Sequence, residues 1–117
     1  MTRAKPTGTV TFLFTDIEGS TRIAQRLDSD RWSAVLGRHR ELIRAAIASV
    51  GGHEDSTEGD GFLAVFERAP SAVAAAVDAQ RRLAAEPWPD DAPVRVRMGV
   101  HTGEGRLDAD GEYVGAD

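Results

Sequence analysis

Two aspartates, Asp16 and Asp60, are the residues of this chain whose settings are suited to chemistry. Asp16 follows a short apolar run, residues 10–14, and precedes the turn and helix-start residues Glu18 to Thr21. A strand that runs into a helix N-terminus leaves backbone N–H groups open to a phosphate, beside a carboxylate that suits a cation. The segment therefore predicts a corner that binds metal and phosphate, although helix capping by Asp16 or Ser20 accounts for the same residues equally well.

Asp60 stands in a Gly-Asp-Gly turn between two short runs of strand-forming residues, which is typical of a β-hairpin. Hydrophobic patterning predicts the elements around it. Strands are expected over 8–15, 53–57, 62–66 and 94–101. A short helix is expected from Arg22, a long one over 32–50 and a third from Pro70.

The two longer helices each show one apolar face. The stripe of the second helix includes His39, which we interpret as a core or boundary residue rather than a ligand. The third helix is expected to bury Val73, Ala76, Val77, Gln80, Leu83 and Ala84. The glycine- and aspartate-rich tail, 103–117, predicts a hairpin without a well-buried face.

The order of these elements predicts an α+β fold, the ferredoxin-like βαββαβ core, with helices on one face of an antiparallel sheet. In that topology the third strand lies antiparallel to the first, so Asp60 comes close to Asp16. Two carboxylates beside a helix N-terminus suit two Mg²⁺ ions holding a triphosphate. The alternative is a helix cap and a turn aspartate that meet by accident.

Length and composition limit the remaining possibilities. We expect the 117 residues to form a single domain, 1–117, because one core is all that this length supports. Lys and Arg number 14 against 19 Asp and Glu, which argues against nucleic acid as a partner. Without cysteine, signal sequence or apolar span, the chain is expected to be cytoplasmic and outside the membrane. Arg95, Arg97 and Arg106 could contact phosphates, but solvated surface arginines are the more usual interpretation.

Four motifs together resemble the class III nucleotidyl cyclases, the adenylate and guanylate cyclase catalytic domains, and most closely their bacterial members. They are FLFTDIEGST at 12–21, STEGDGFLAVF at 56–66, VRVRMGVHTGE at 94–104 and GEYVGAD at 111–117. The resemblance covers nearly the whole chain. It implies conversion of a nucleoside triphosphate, ATP more than GTP, to a 3′,5′-cyclic nucleotide and pyrophosphate.

The resemblance also implies the site residues. Asp16 and Asp60 would each bridge two Mg²⁺ or Mn²⁺ ions, with the backbone carbonyl of Ile17 as a further ligand. One ion would help the ribose 3′-oxygen to ionise and the other would hold the β- and γ-phosphates. The phosphates would lie on the N–H groups of Glu18, Gly19, Ser20 and Thr21.

The chain departs from the family in two respects. Ser56 stands where a purine-selecting lysine is usual, and Glu112 stands at the position of its aspartate partner. The chain also ends before the asparagine and arginine that act on the ribose and the transition-state phosphate. Because family sites lie between two chains, we expect a homodimer or a partner cyclase chain, and feeble or no activity from this chain alone.

Two other functions stay open. The chain could be a non-catalytic homologue that binds a nucleotide or regulates a partner, which Ser56 favours. It could also be a ferredoxin-like relative with another activity, such as a diguanylate cyclase or a polymerase palm. A diguanylate cyclase would carry a GGDEF-type hairpin, which EGDG resembles only in part.

Overall fold

A computed structural model describes residues 4–114 and shows a five-stranded antiparallel sheet in the order β2-β3-β1-β4-β5. The strands are β1 (Gly8–Ile17), β2 (His53–Glu58), β3 (Gly61–Phe66), β4 (Val96–Leu107) and β5 (Tyr113–Val114). The helices are α1 (Ser20–Arg26), α2 (Ser29–Ser49) and α3 (Ala69–Ala85). The ferredoxin-like α+β prediction is confirmed, with β5 added beside β4.

Some predicted boundaries were wrong. β1 continues through Asp16 to Ile17, because both residues pair with β4, opposite Arg97 and Val96. α1 begins at Ser20, two residues before the predicted start. β4 begins later than predicted and runs on to Leu107, since pairing with β1 continues as far as Gly105.

The main core lies between the helices and one face of the sheet. β1 contributes Leu13 and Ile17 to it, and α2 buries the stripe that the sequence predicts. His39 lies in this stripe with none of its surface exposed, as expected for a core residue. Burial lowers its pKa, so it is uncharged at neutral pH.

The predicted face of α3 was partly wrong. The helix buries Ala72, Ala75, Ala79 and Leu83, whereas Val73 and Val77 stay about half exposed. The alanines allow close approach to the neighbouring elements, and that packing outweighs the larger apolar area of the valines.

The opposite face of the sheet, which we call the open face, carries a smaller cluster. Val10 and Phe12 of β1 pack there with Val65, and the ring of Tyr113 meets Phe12 edge-on at 5.4 Å. The tail up to Val114 is thus a β4–β5 hairpin, and Tyr113 gives it a packed side chain that the sequence did not suggest. The last three residues of the GEYVGAD motif lie outside the described residues.

Within residues 4–114, no helix is both long enough and apolar enough to cross a membrane.

Candidate metal and nucleotide site

The end of β1 and the β2–β3 turn meet at a place that we call the metal corner, formed by Asp16, Ile17, Asp60 and the start of α1. The Ile17 N–H donates a hydrogen bond to Asp60 Oδ2 at 2.7 Å. The register explains the meeting: Thr15 of β1 is opposite Phe62 of β3, so the turn before β3 lies beside the residues that follow Thr15.

A pocket of about 380 Å³ joins these residues to the start of α1. Its lining consists of Asp16, Ile17, Gly19, Ser20, Thr21, Arg22, Asp60 and Arg97. Neither Asp16 nor Ser20 caps the helix. The N-cap is Gly19, whose φ of 67° is in the left-handed region, and no side chain caps the helix there. The capping interpretation of Asp16 and Ser20 was therefore wrong.

The backbone N–H groups of this loop differ in availability. The N–H of Glu18 already donates to the carbonyl of Arg95 at 2.7 Å. The N–H groups of Gly19, Ser20 and Thr21 make no hydrogen bond within the part of the chain that the structure describes. The N–H groups of residues 19–21 are therefore available to bind phosphate oxygens as predicted, whereas the N–H of Glu18 is already hydrogen-bonded.

Arg97 lies beside the metal corner and pairs with Asp16, although the sequence analysis favoured a solvated surface arginine. Its Nε donates to Asp16 Oδ1 at 2.8 Å, and this hydrogen bond raises the pKa of Arg97. Both side chains remain about half exposed or more. The signal that could have found Arg97 is register: alternation along β4 puts it on the open face, directly opposite Asp16.

The turn that carries Asp60 is held from α2. Gly59 has a φ of 57°, which favours glycine, and its carbonyl accepts a hydrogen bond from the Arg40 guanidinium. Arg40 therefore ties the hairpin turn to the helix layer. With Ile17 on the other side, Asp60 is fixed from two elements.

The donors at the metal corner fit a hard divalent cation. Asp16 Oδ2 and Asp60 Oδ1 have no hydrogen-bond partner among residues 4–114, and carboxylate oxygens are the ligands that Mg²⁺ and Mn²⁺ prefer. Over the same residues, no three His, Asp or Glu side chains are grouped to hold a metal ion. Two carboxylates suit an ion that completes its coordination with waters and phosphate oxygens.

Ser56 and Glu112 do not line this pocket; they belong to the segments at the two ends of the strand order, β2 and the β4–β5 turn. Ser56 is exposed on the edge strand β2, in register with Leu63, which faces the open side. Glu112 is exposed in the β4–β5 turn, where its N–H donates to Asp108 Oδ1 at 2.9 Å.

A known protein family matches nearly the whole chain. Residues 2–113 match the family model described as the adenylate and guanylate cyclase catalytic domain. An uncharacterized protein of Mycobacterium tuberculosis is 40% identical over an alignment of 117 positions that covers 98% of this chain and 38% of that protein. The chain therefore spans well under half the length of this relative.

Solved structures show the same fold. An adenylate cyclase from Trypanosoma brucei, described in its monomeric state, has a TM-score of 0.82 at 27% identity, over 97% of this chain and 66% of that one. The dimeric guanylyl cyclase domain of a fusion protein from Blastocladiella emersonii has a TM-score of 0.76 at 26% identity, over 88% and 61%. The family model matches nearly the whole length and the solved structures share the fold, so the chain belongs to the class III adenylate and guanylate cyclase catalytic domain family.

Proposed function

We propose that this chain binds a nucleoside triphosphate with two divalent cations and contributes the metal-binding half of an active site that forms a 3′,5′-cyclic nucleotide and pyrophosphate. The observation that carries the proposal is the metal corner itself. Asp16 and Asp60 line one pocket with three unengaged backbone N–H groups, in a chain of the cyclase family. ATP is the first candidate substrate and GTP the second.

Each residue of the metal corner has a role in this proposal. Asp16 and Asp60 hold the ions through their carboxylates, and Ile17 adds its backbone carbonyl. When bound, the two Mg²⁺ or Mn²⁺ ions supply charge that favours ionisation of the 3′-hydroxyl and stabilises the growing negative charge on the phosphates. The N–H groups of residues 19–21 receive the phosphate oxygens.

Arg97 adds a movable cation. In the structure its guanidinium is paired with Asp16, and its side chain is 67% exposed. A divalent ion at Asp16 would compete with it, and a triphosphate beside the ion would offer it new acceptors. Arg97 is therefore proposed to exchange its carboxylate partner for a phosphate oxygen when the metal–nucleotide complex binds.

A second chain is proposed to cover the open face. Phe14 lies on that face two residues before Asp16 and is 44% exposed, a large aromatic surface next to the metal corner. The similar guanylyl cyclase domain from Blastocladiella emersonii is dimeric. A homodimer, or a pairing with another cyclase chain, would place a partner surface over each metal corner.

The alternative function is a cyclase homologue that binds nucleotide without turnover and regulates a partner. Ser56 favours it, because a serine lacks the long cationic donor that the family has at that position. Metal-dependent nucleotide binding is common to both proposals, so turnover distinguishes them.

The test is a cyclisation assay with ATP and with GTP, each with Mg²⁺ and with Mn²⁺, beside binding of the same nucleotides. Asp16→Asn is the site variant. Asp90→Asn, in an exposed loop, is the matched control. Product that Asp16→Asn abolishes and Asp90→Asn leaves intact supports the enzyme. Metal-dependent binding without product supports the regulatory alternative, and absence of both overturns the proposal.

A further inference from the structure

Lys5 occupies a place on the open face that its position in the sequence does not reveal. Its ammonium lies 2.7 Å from Asp55 Oδ1, and it also donates to the carbonyl of Gly111 at 2.7 Å. Asp55 is the chain neighbour of Ser56, and Gly111 is the chain neighbour of Glu112. One ammonium therefore joins the two segments that carry the proposed base-selecting positions.

Several contacts fix Lys5 there. Pro6 is buried, and its carbonyl accepts a hydrogen bond from the Tyr113 hydroxyl at 2.8 Å. The Lys5 ammonium is 5.6 Å from the centroid of the Tyr113 ring. The N-terminal segment is thus packed against the β4–β5 hairpin, and the position of Lys5 follows from that packing.

Asp55 gives this arrangement its charge. It is the extra residue of a bulge in β2, between Glu54 opposite Ala64 and Ser56 opposite Leu63. Its side chain is only 4% exposed, so its carboxylate needs a cationic partner. Lys5 is that partner, and the hydrogen bond to Asp55 raises the pKa of the ammonium.

The Lys5 ammonium keeps capacity for a ligand. It has three N–H donors, and among the described residues it donates to the carbonyl of Gly111 and lies 2.7 Å from Asp55 Oδ1, with its side chain 25% exposed. The neighbouring Glu112 is exposed and can accept a hydrogen bond from an amino group. A donor and an acceptor beside one another match the edge of a purine, which presents both.

We propose that Lys5 supplies the cationic hydrogen-bond donor for the nucleobase, in place of a lysine at position 56. The inference rests on the proposed function: in the proposed homodimer, Lys5 of one chain would meet the base of a nucleotide whose phosphates lie at the metal corner of the other chain. An ammonium N–H would donate to an acceptor on the purine ring, with Ser56 and Glu112 in the chain segments that adjoin Lys5. Asp55 is a positioning residue that acts through Lys5.

The test distinguishes the contribution of the nucleobase to binding from that of the phosphates. Binding of ATP, of GTP and of inorganic tripolyphosphate, each with Mn²⁺, is measured on the unaltered chain and on Lys5→Met. Loss of one hydrogen bond to a charged donor is expected to weaken nucleotide binding about tenfold. Tripolyphosphate binding is expected to change less than about twofold, because Lys5 lies outside the pocket of the metal corner.

Two further variants distinguish a loss of binding from a loss of folding. Lys5→Met leaves Asp55 buried without a cation, so Lys5→Met/Asp55→Asn removes both charges and should bind nucleotide as weakly as Lys5→Met. Lys5→Met/Ser56→Lys puts a lysine at the position usual in the family and should regain most of the nucleotide affinity. A thermal melt of each variant shows whether it is folded.

The outcomes are distinct. Equal loss of nucleotide and tripolyphosphate binding, unchanged nucleotide binding, or no recovery with Ser56→Lys overturns the role of Lys5 and leaves the metal corner standing. The same holds if the unaltered chain binds nucleotide no more tightly than tripolyphosphate. Failure of the unaltered chain to bind Mn²⁺ and tripolyphosphate overturns the proposed function, and with it this inference.

Discussion

Replacement of Asp60 by asparagine or by alanine separates the two tasks of its carboxylate. One oxygen accepts the Ile17 N–H at 2.7 Å, and the other has no partner among the described residues and is assigned to a cation. Asparagine keeps an acceptor of the same shape without the charge, whereas alanine keeps neither. The two variants should therefore lose metal binding alike and differ in stability.

The hydrogen bond sets the size of the stability effect. Asp60→Asn exchanges a charge-assisted hydrogen bond for a neutral one, which should cost about 0.5–1.5 kcal/mol of unfolding free energy. Asp60→Ala leaves the part-buried Ile17 N–H without its acceptor, at a cost of about 1–3 kcal/mol. Since 1 kcal/mol shifts the Tm of a domain near this size by roughly 4–8 °C, the alanine variant should melt first.

The metal effect should be larger and nearly the same in both variants. Loss of residues that only support a metal ligand weakens binding by about 10–100-fold, so loss of a direct ligand should weaken it at least about tenfold. Titration of Mn²⁺ in the presence of tripolyphosphate measures this, and thermal unfolding measures stability. Asp90→Asn serves as the control for the loss of one negative charge.

Two results would refute this reasoning. If Asp60→Asn binds Mn²⁺ as tightly as the unaltered chain, Asp60 is not a metal ligand. If Asp60→Ala is as stable as Asp60→Asn, the hydrogen bond from Ile17 does not hold the turn in solution.

Three more predictions test other parts of the molecule. Burial lowers the pKa of His39, so below about pH 6.5 the unfolded chain takes up a proton that the native chain does not. Stability should then fall as the pH drops from 7.5 to 5.5, by at most about 1.4 kcal/mol per unit, and His39→Phe should flatten this slope in pH-dependent chemical denaturation. Arg97→Met should strengthen Mn²⁺ binding in the absence of nucleotide and weaken Mn²⁺-dependent binding of tripolyphosphate. Effects of the same sign in the two titrations would contradict the proposal that Arg97 exchanges Asp16 for a phosphate oxygen. Gly105→Ala would put a Cβ 2.7 Å from Val10 Cγ2 and should cost about 1–3 kcal/mol of unfolding free energy. A Cβ at Gly37 in α2 would meet open space, so Gly37→Ala should leave stability unchanged or raise it. Equal melting temperatures for the two glycine variants would contradict the packing of the β4–β5 hairpin against β1.

The central strands could be predicted because their sequence carries the signals directly. β1 is a run of apolar and β-branched residues before Asp16, and the Gly-Asp-Gly turn predicts the hairpin that brings Asp60. The ferredoxin-like order then places the turn beside the end of β1, so the meeting of the two carboxylates followed from topology. Arg97 required one more step, the register of β4 against β1, which alternation alone does not determine.

The face of α3 could not be predicted from hydrophobicity. A period of 3.6 residues fits two overlapping faces when half of the helix is alanine, and the valines suggested the wrong one. The choice was made by the packing between α3 and its neighbours, which buries three alanines and Leu83. Such a choice depends on tertiary packing and leaves no local signal in the sequence.

The two ends of the proposed site differ in how they are built, and this difference bears on their evolution. The metal corner is formed by β1 and the β2–β3 turn, whose backbones are fixed by the sheet and by α2, so its residue types are tightly constrained. The base end is assembled at the sheet edges from β2, the β4–β5 turn and the N-terminal segment, where a cation from any of these segments can reach the same place. If Lys5 binds the nucleobase as proposed, the cation of the base end comes from the N-terminal segment instead of position 56, with the same fold and the same metal corner.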